Sequence, residues 1–313
     1  MMMITKKRTI VNVIKTPKSQ TCIKYLLKLE EALFRNSAKN YVIMTDGIPK
    51  PTIVLGCSGK VHEMVHDDIN CSLKGVEIIK RFTGGGTVVC DLNTQFVSFV
   101  MNAKEVYRDD FLRRKNLIDD GDNEMISLAE DGLFPRPIMR WTGDFYERVF
   151  NEKIFSSSSS SSTATAKKKK MNTNNNYFSL RENDYVFGDK KFGGNAQSIS
   201  KNRFIHHTSF LYDYDEEMMK LLKSPKKQPE YRENRDHLAF VQTLKSKYDE
   251  NDIISSGRRE LFFDAVYNTL NESGFVLRSM PFDEAESILF DYNETKQSTV
   301  KIWCSKLNNW ELA

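Results

Sequence analysis

Two periods of apolar residues run through the chain, one of about two residues and one of about 3.6, and they divide it into strands and helices. Residues 9–14 (TIVNVI) predict a strand, and residues 21–36 an amphipathic helix with Ile23, Leu26, Leu27, Leu33 and Phe34 on one side. Short apolar runs at 41–45, 52–55, 76–80, 87–90 and 96–101 predict further strands, the first two joined by a turn at Asp46-Gly47. Ile138, Trp141, Phe145 and Val149 then recur at helical spacing within 138–151. The strand pattern resumes at 177–180, 184–187, 191–193, 197–200 and 204–212, broken by Gly188-Asp189 and by Lys201-Asn202-Arg203. The remainder is more helical, over 216–223, 237–248 and 258–271 with Gly274 as a C-cap, and segments 275–279 and 282–290 follow. Strands at this density, joined by hairpins and interrupted by few helices, predict an α+β fold with mixed or antiparallel sheets packed with helices.

One segment breaks both periods. Residues 156–176 read SSSSSSSTATAKKKKMNTNNN, which gives a core nothing to bury, so this is expected to be a disordered insertion in a surface connection. The flanking segments belong to one domain, and deletion of the insertion is expected to be tolerated.

Composition narrows the class. A chain of 313 residues with 40% apolar side chains suits one large domain, alone or with a small one. No apolar run approaches the ~20 residues a membrane span needs, so a soluble protein with no membrane partner is expected. Five cysteines without a C-x-x-C pair argue against a disulfide framework or a cysteine zinc site and for a reducing, intracellular setting rather than a secreted one. The net charge is +4, and Lys167 to Lys170 account for all of it, so no nucleic-acid partner is implied. The first 29 residues hold seven Lys/Arg and no Asp/Glu, in the manner of a mitochondrial presequence, but the strand at 9–14 leaves a leader almost no room. The compartment stays open between cytoplasm and mitochondrion.

Three segments carry candidate chemistry. In Lys80-Arg81-Phe82-Thr83-Gly84-Gly85-Gly86-Thr87-Val88-Val89, three glycines between apolar strands weaken the sheet, which points to a close approach to bare main chain. Consecutive N–H groups there can hold an anion, and Arg81 adds a planar fork suited to phosphate or carboxylate; a plain glycine-rich hairpin is the ordinary alternative. In Asn183-Asp184 through Gly188-Asp189-Lys190-Lys191-Phe192-Gly193-Gly194-Asn195-Ala196-Gln197, a hairpin holds Lys191 beside a second glycine pair, where its ammonium can sit on a phosphate or acyl oxygen; an ordinary charged hairpin is the alternative. In Phe204-Ile205-His206-His207-Thr208-Ser209-Phe210-Leu211, adjacent histidines in a strand face opposite sides, so at most one enters a pocket.

The order RFTGGGTVV, ND, GDKKFGGNAQ, HHTSFL resembles the lipoate protein ligase A family over roughly residues 9 to 280, most closely a eukaryotic branch of it. The resemblance implies a fold similar to biotin protein ligase and the class II aminoacyl-tRNA synthetase core. It divides the chain into an N-terminal tail (1–8), a ligase-like catalytic domain (9–280, interrupted at 156–176) and a C-terminal helical extension (281–313). It implies ATP-dependent activation of lipoate to lipoyl-AMP, with Mg2+, then transfer to a lysine of the lipoyl domains of 2-oxoacid dehydrogenase E2 or of glycine-cleavage H protein. Lys191 matches the catalytic lysine that bridges the acyl carbonyl and the α-phosphate. Arg81, Thr83, Gly84, Gly85, Gly86 and His207 fall at lipoate or lipoyl-AMP positions. Val88, Val89, Asn183, Asp184, Lys191 and Ala196 fall at ATP positions, with Asp184 where a magnesium-associated aspartate stands. Both steps build charge on oxygens, so fixed cations and N–H donors near one another, Lys191 beside the 84–86 turn, are the expected machinery.

The chain also departs from that pattern. Lys80 stands where bacterial members commonly have arginine, Cys90 where many have histidine, and Cys57-Ser58-Gly59-Lys60 replaces a nucleotide-contacting stretch. Against the bacterial pattern the residues after 280 are not expected to form the small accessory domain, so weak activation, a separate accessory subunit, or transfer from preformed lipoyl-AMP is weighed. A lipoyl or octanoyl transferase working through a cysteine thioester is the nearest alternative, with Cys57, Cys90 and Cys304 as candidates. His62-Glu63-Met64-Val65-His66 matches the zinc-hydrolase pattern H-E-x-x-H, against a solvated helix turn. Gly56 to Lys60 lacks P-loop spacing, and the glycines at 188, 193 and 194 make no dinucleotide fingerprint. A catalytically dead binding module is the third class. Tunnel shape, which decides between lipoate, octanoate and biotin, is not written in the sequence.

Overall fold

The computed structural model describes residues 8–18, 20–66, 71–72, 74–106, 134–155, 177–251, 253 and 257–313. The Ser/Lys/Asn-rich segment 156–176, nearly all of the N-terminal tail, and Asp67 and Asp68 after the H-E-x-x-H pattern lie outside these residues.

Among the described residues the chain forms an α+β structure with one large and one small sheet. The large sheet holds β1 (Ile10–Lys15), β2 (Asn40–Asp46), β5 (Gly84–Gly85), β7 (Thr94–Asn102), β8 (Phe178–Arg181), β9 (Asp184–Phe187), β10 (Lys190–Ser200), β11 (Arg203–Leu211) and β12 (Val276–Ser279). Its order is β12-β1-β2-β7-β11-β10-β9-β8, with β5 also on β10. Strand β1 runs parallel to both neighbours, and the other pairs are antiparallel. The small sheet runs β14 (Asn309–Leu312), β13 (Lys301–Cys304), β4 (Glu77–Lys80), β3 (Thr52–Leu55), β6 (Val88–Cys90).

Helices cover both faces of the large sheet. On one face Phe99, Tyr185, Phe187, Phe192, Phe204 and Phe210 meet Trp141, Phe145 and Tyr146 of α3 (Pro135–Glu147), Phe150 of the π-helical turn Arg148–Ile154, and Phe262 of α7 (Arg258–Glu272). On the other, Ile43, Phe96, Val100 and Ile205 meet the apolar side of α1 (Ile23–Asn36) and Ala285, Leu289 and Tyr292 of α8 (Phe282–Thr295). A third cluster joins the small sheet through Ile53, Leu55 and Ile78 to Val186, Tyr231, Phe240 and Val241.

Several sequence expectations are corrected here. Segments 191–193 and 197–200 are one strand, because Gly193, Gly194 and Asn195 stay paired with Phe210, Ser209 and Thr208, while a bulge between Lys191 and Gly193 takes up the irregularity. The single helix expected over 237–248 is two, α5 (His237–Phe240) and α6 (Leu244–Glu250), each with its own cap from Asp236 and Thr243. Between them the Gln242 N–H donates to the Lys191 carbonyl, which turns the chain away from helix. The helix expected over 216–223 ends early, as α4 (Glu216–Met219), because Leu222 bridges to Val65. The stretch 281–313, expected as helical, is α8 followed by the β13–β14 hairpin, and β13 pairs with β4. Lys80 lies over the Trp310 ring of that hairpin, 4.4 Å from its centroid.

Candidate active site

The register of the large sheet sets several sequence-selected residues in one row. Gly85 pairs with Ala196, Ala196 with His207, and His207 with Ser98. Directly paired residues share a face, so the glycine turn and the histidine flank Ala196 from either side, roughly 10 Å apart across two strand spacings. The two histidines diverge as alternation requires. His206 points into the aromatic layer, and His207 to the face covered by α1.

His207 is 6% exposed and is held from behind. Its Nδ1 lies 2.7 Å from Glu30 Oε1, a carboxylate on α1 with no exposure, and 3.0 Å from Ser98 Oγ, which also donates to Glu30 Oε1. Serine and glutamate meet the same ring nitrogen, so this is a brace that orients the ring and not a nucleophile–base–orienter relay. Glu30 was not singled out in the sequence, where it reads as one of two glutamates on a helix.

His206 belongs to a different network. Its Nδ1 accepts from Gln197 Nε2 at 3.0 Å, and its Nε2 lies 3.1 Å from both Tyr185 Oη and Thr208 Oγ1. Tyr185 donates to Thr142 on α3. Burial is the main cause that pushes the His206 pKa down to about 3, so the ring is neutral.

The glycine turn rests on Arg81. Its guanidinium is 3% exposed and donates to the Gly86 carbonyl at 2.6 Å and to the Val54 carbonyl at 3.3 Å. Burial lowers its pKa to about 10, still well above neutrality, so a full charge sits under the turn. The free fork expected from the sequence is thus a buried brace. At Gly85, with φ +146, a Cβ would lie 2.6 Å from the Asn195 carbonyl oxygen and 2.8 Å from Arg81 Nη2. Gly56 is equally tight: its Cβ would meet the Gly85 oxygen at 2.3 Å, and the next N–H, of Cys57, donates to the Thr83 carbonyl. Thr83 has no exposure, and its hydroxyl has no hydrogen-bond partner among the described residues. Of the apolar candidates, Val88 packs on Gly194, where a Cβ would meet its Cγ1 at 3.1 Å, while Val89 faces the third cluster.

Lys191 and Asp184 meet directly, Nζ to Oδ1 at 2.6 Å, with Asn183 in the adjoining turn. Tyr231, which carries no sequence signal, donates to Asp184 Oδ2 at 2.8 Å. Lys191 faces away from the aromatic layer that buries its neighbour Phe192. The glycine turn is paired further along the same strand, five residues from Lys191, or about 16 Å at ~3.3 Å per residue. The ammonium rests on Asp184, so the expected position of Lys191 beside the 84–86 turn is not the one it takes, and the candidate residues spread along β10. Asp184 supplies a single carboxylate with both oxygens already engaged, which suits magnesium only together with phosphate oxygens, the usual manner of that ion.

The zinc alternative loses its geometry, and the thioester alternative loses Cys90. In H-E-x-x-H, α2 (Val61–Met64) ends before His66, and Val65 is extended, so the two histidines do not share a helical face. Among the described residues no three His, Cys, Asp or Glu side chains group as metal ligands. Cys90 is buried, and its thiol is pushed well above its ordinary range, mainly by burial, which leaves it a poor nucleophile. Cys57 is exposed, and Cys304 lies on β13. No helix of the described residues is long and apolar enough to cross a membrane.

A large mixed sheet with a buried arginine under a glycine turn and a lysine–carboxylate pair across two adjacent strands places cations and main-chain donors where an anionic ligand could be met, and comparison with known proteins gives the family. The chain belongs to the lipoyl protein ligase A/B catalytic domain family, whose model matches residues 23–118 and 138–256. It is 31% identical over 207 residues to a protein from Plasmodium falciparum (isolate 3D7) named inactive lipoate protein ligase 2, covering 63% of this chain and 48% of that one. The chain thus spans about half the length of the curated relative it matches. A solved lipoate protein ligase A bound with ATP is 18% identical with a TM-score of 0.57, covering 93% of this chain and 96% of that one. A chain from a Thermoplasma acidophilum study of a bipartite lipoate protein ligase and its E2 lipoyl domain is also 18% identical with a TM-score of 0.57, covering 92% and 93%.

Proposed function

We propose that this protein activates lipoate with ATP and transfers the lipoyl group to a lysine of a lipoyl domain. The carrying observation is the alignment along β10, with Gly85, Ala196 and His207 in one row and Lys191 further along the same strand, paired with Asp184 of the adjoining β9. In the first step a lipoate carboxylate oxygen attacks the α-phosphorus of ATP, and the bond to pyrophosphate breaks. In the second the acceptor lysine amine attacks the acyl carbon, AMP leaves, and the amine gives up a proton. Negative charge collects on phosphate and carbonyl oxygens in both, and Lys191 is the cation to meet it. Asp184 would hold magnesium with the phosphates. The glycine turn would bring bare main chain to the acyl phosphate, and His207, oriented by Glu30, would line the lipoyl chain.

The ATP-bound relative supports the nucleotide, and the E2 lipoyl domain of the archaeal system supports the acceptor class, with H protein as the second candidate. The bipartite relative also supports an accessory subunit supplied separately. A second reading, binding without turnover, has two supports: the name of the Plasmodium relative and the engagement of Lys191 by Asp184. Pyrophosphate release by the purified protein with ATP and lipoate, octanoate or biotin, with and without an apo-lipoyl domain, separates the two. Release and lipoylation are expected with lipoate and lost in Lys191→Ala with an unchanged melting curve. Lipoylation at wild-type rate by Lys191→Ala would sink the assignment, and survival of activity in Cys57→Ser would exclude a thioester at that cysteine.

A further inference from the structure

We propose that Tyr231 is a positioning residue for Lys191, acting through Asp184, an inference that rests on the reading of Lys191 as the cation of the site. The Asp184 carboxylate divides its two oxygens: Oδ1 holds the lysine ammonium at 2.6 Å, and Oδ2 accepts the Tyr231 phenol at 2.8 Å. Tyr231 is 5% exposed, its ring tilted against Phe240 with centroids 5.3 Å apart and covered by the Arg181 guanidinium 4.5 Å from its centre. Burial and the adjacent carboxylate push the phenol pKa up, so the hydroxyl remains a donor across the range in which proteins fold.

A rival cation explains why Asp184 needs such a hold. Arg232, the next residue, is 4% exposed, its Nη2 has no hydrogen-bond partner among the described residues, and its charge interacts with Asp184. Without the phenol the carboxylate is free to turn toward this guanidinium and release the lysine. The same segment also holds the lysine main chain, since the Gln242 N–H donates to the Lys191 carbonyl at 2.8 Å and Val241 bridges to Lys191. Residues 231–242 therefore fix both ends of Lys191, the backbone directly and the ammonium by way of Asp184.

Lys190 supplies an internal reference, because it is exposed and adjacent. The full-length protein is treated briefly with acetic anhydride, and the acetylation ratio of Lys191 to Lys190 is read by mass spectrometry, which needs no enzymatic turnover. In Tyr231→Phe, which keeps the ring and loses only the hydroxyl, the ratio is expected to rise about fivefold, the equivalent of one ~1 kcal/mol hydrogen bond. Asp184→Asn is expected to raise it at least as much, and adding Tyr231→Phe to Asp184→Asn to change nothing more. An unchanged or lower ratio in Tyr231→Phe, a smaller rise in Asp184→Asn, or additive effects in the double variant would overturn the proposal. In the lipoate activation assay Tyr231→Phe is expected to lower kcat and leave the KM for lipoate in place. A wild-type protein without turnover would count against the ligase reading, while the labelling ratios would still decide the role of Tyr231.

Discussion

Glu30 Oε1 and His207 Nδ1 lie 2.7 Å apart although 177 positions separate them, and the carboxylate has no exposure. Ser98 closes the triangle from the neighbouring strand. A buried carboxylate persists only with partners that replace water, and here the partners lie on two strands of the large sheet under α1. Removing the carboxylate leaves Ser98 Oγ and His207 Nδ1 with only each other and opens a buried gap beside them, so Glu30→Ala is expected to cost about 3 kcal/mol in urea denaturation. Ser98→Ala is expected to cost about 1 kcal/mol. Equal, small effects for both would show that the triangle does not hold together as a unit.

The glycines of the turn are not equivalent. A Cβ on Gly86 would meet nothing within 4 Å, and one on Gly84 only the Gln197 oxygen at 3.7 Å. On Gly85 or Gly56 it would drive into main-chain oxygen. Gly84→Ala and Gly86→Ala are therefore expected to leave stability within about 0.5 kcal/mol. Gly85→Ala and Gly56→Ala are expected to cost about 2 kcal/mol or more, through strain and displacement of the turn from Arg81. Four thermal melts check the contrast.

Local periodicity made much of the fold legible. Strands 52–55 and 184–187 and the helix ending at Asn36 follow from the placing of apolar residues, and the divergence of His206 and His207 follows from alternation alone. What escaped depends on distant partners. Arg81 reads as a free fork until the Gly86 and Val54 carbonyls close on it. Glu30 and Tyr231 carry no local signal, because their importance comes from His207 and Asp184, which only the folded chain brings near. The hairpin at 301–312 was hidden for the same reason, since its strand β13 finds its partner in β4, far upstream.

His206 gives the protein an acid-sensitive core. Its pKa is about 3 in the fold against 6.5 ordinarily, mainly through burial and secondarily through His207. Between those values the unfolded chain takes up a proton that the folded ring refuses. Stability therefore falls as pH drops from about 6.5 toward about 3, by up to about 1.4 kcal/mol per pH unit from this group, and is untouched by it above that window. Urea titrations at several pH values on wild type and His206→Asn isolate the contribution, because the remaining groups titrate in both. The wild-type slope is expected to be the steeper, and parallel slopes would place the imidazole in contact with water.

Glu31, the residue after Glu30 on α1, serves the other end of the chain. Its carboxylate has no exposure and accepts from Ser298 Oγ at 2.7 Å, from the Thr299 N–H at 2.9 Å and from Thr299 Oγ1 at 2.6 Å, while Arg35 donates to it at 2.9 Å. These bonds fasten the segment that leads into β13, which pairs with β4 just before Arg81. Strand β4 has a second partner in β3, and Arg81 has its own bonds, so the glycine turn does not depend on the hairpin for its shape. Glu31→Ala is expected to cost about 3 kcal/mol, as loss of a buried, fully bonded carboxylate does. Hydrogen exchange is expected to quicken at residues 298–312 and to stay at the wild-type rate at residues 81–86. Faster exchange at the turn as well would mean that the C-terminal hairpin supports the candidate active site through β4.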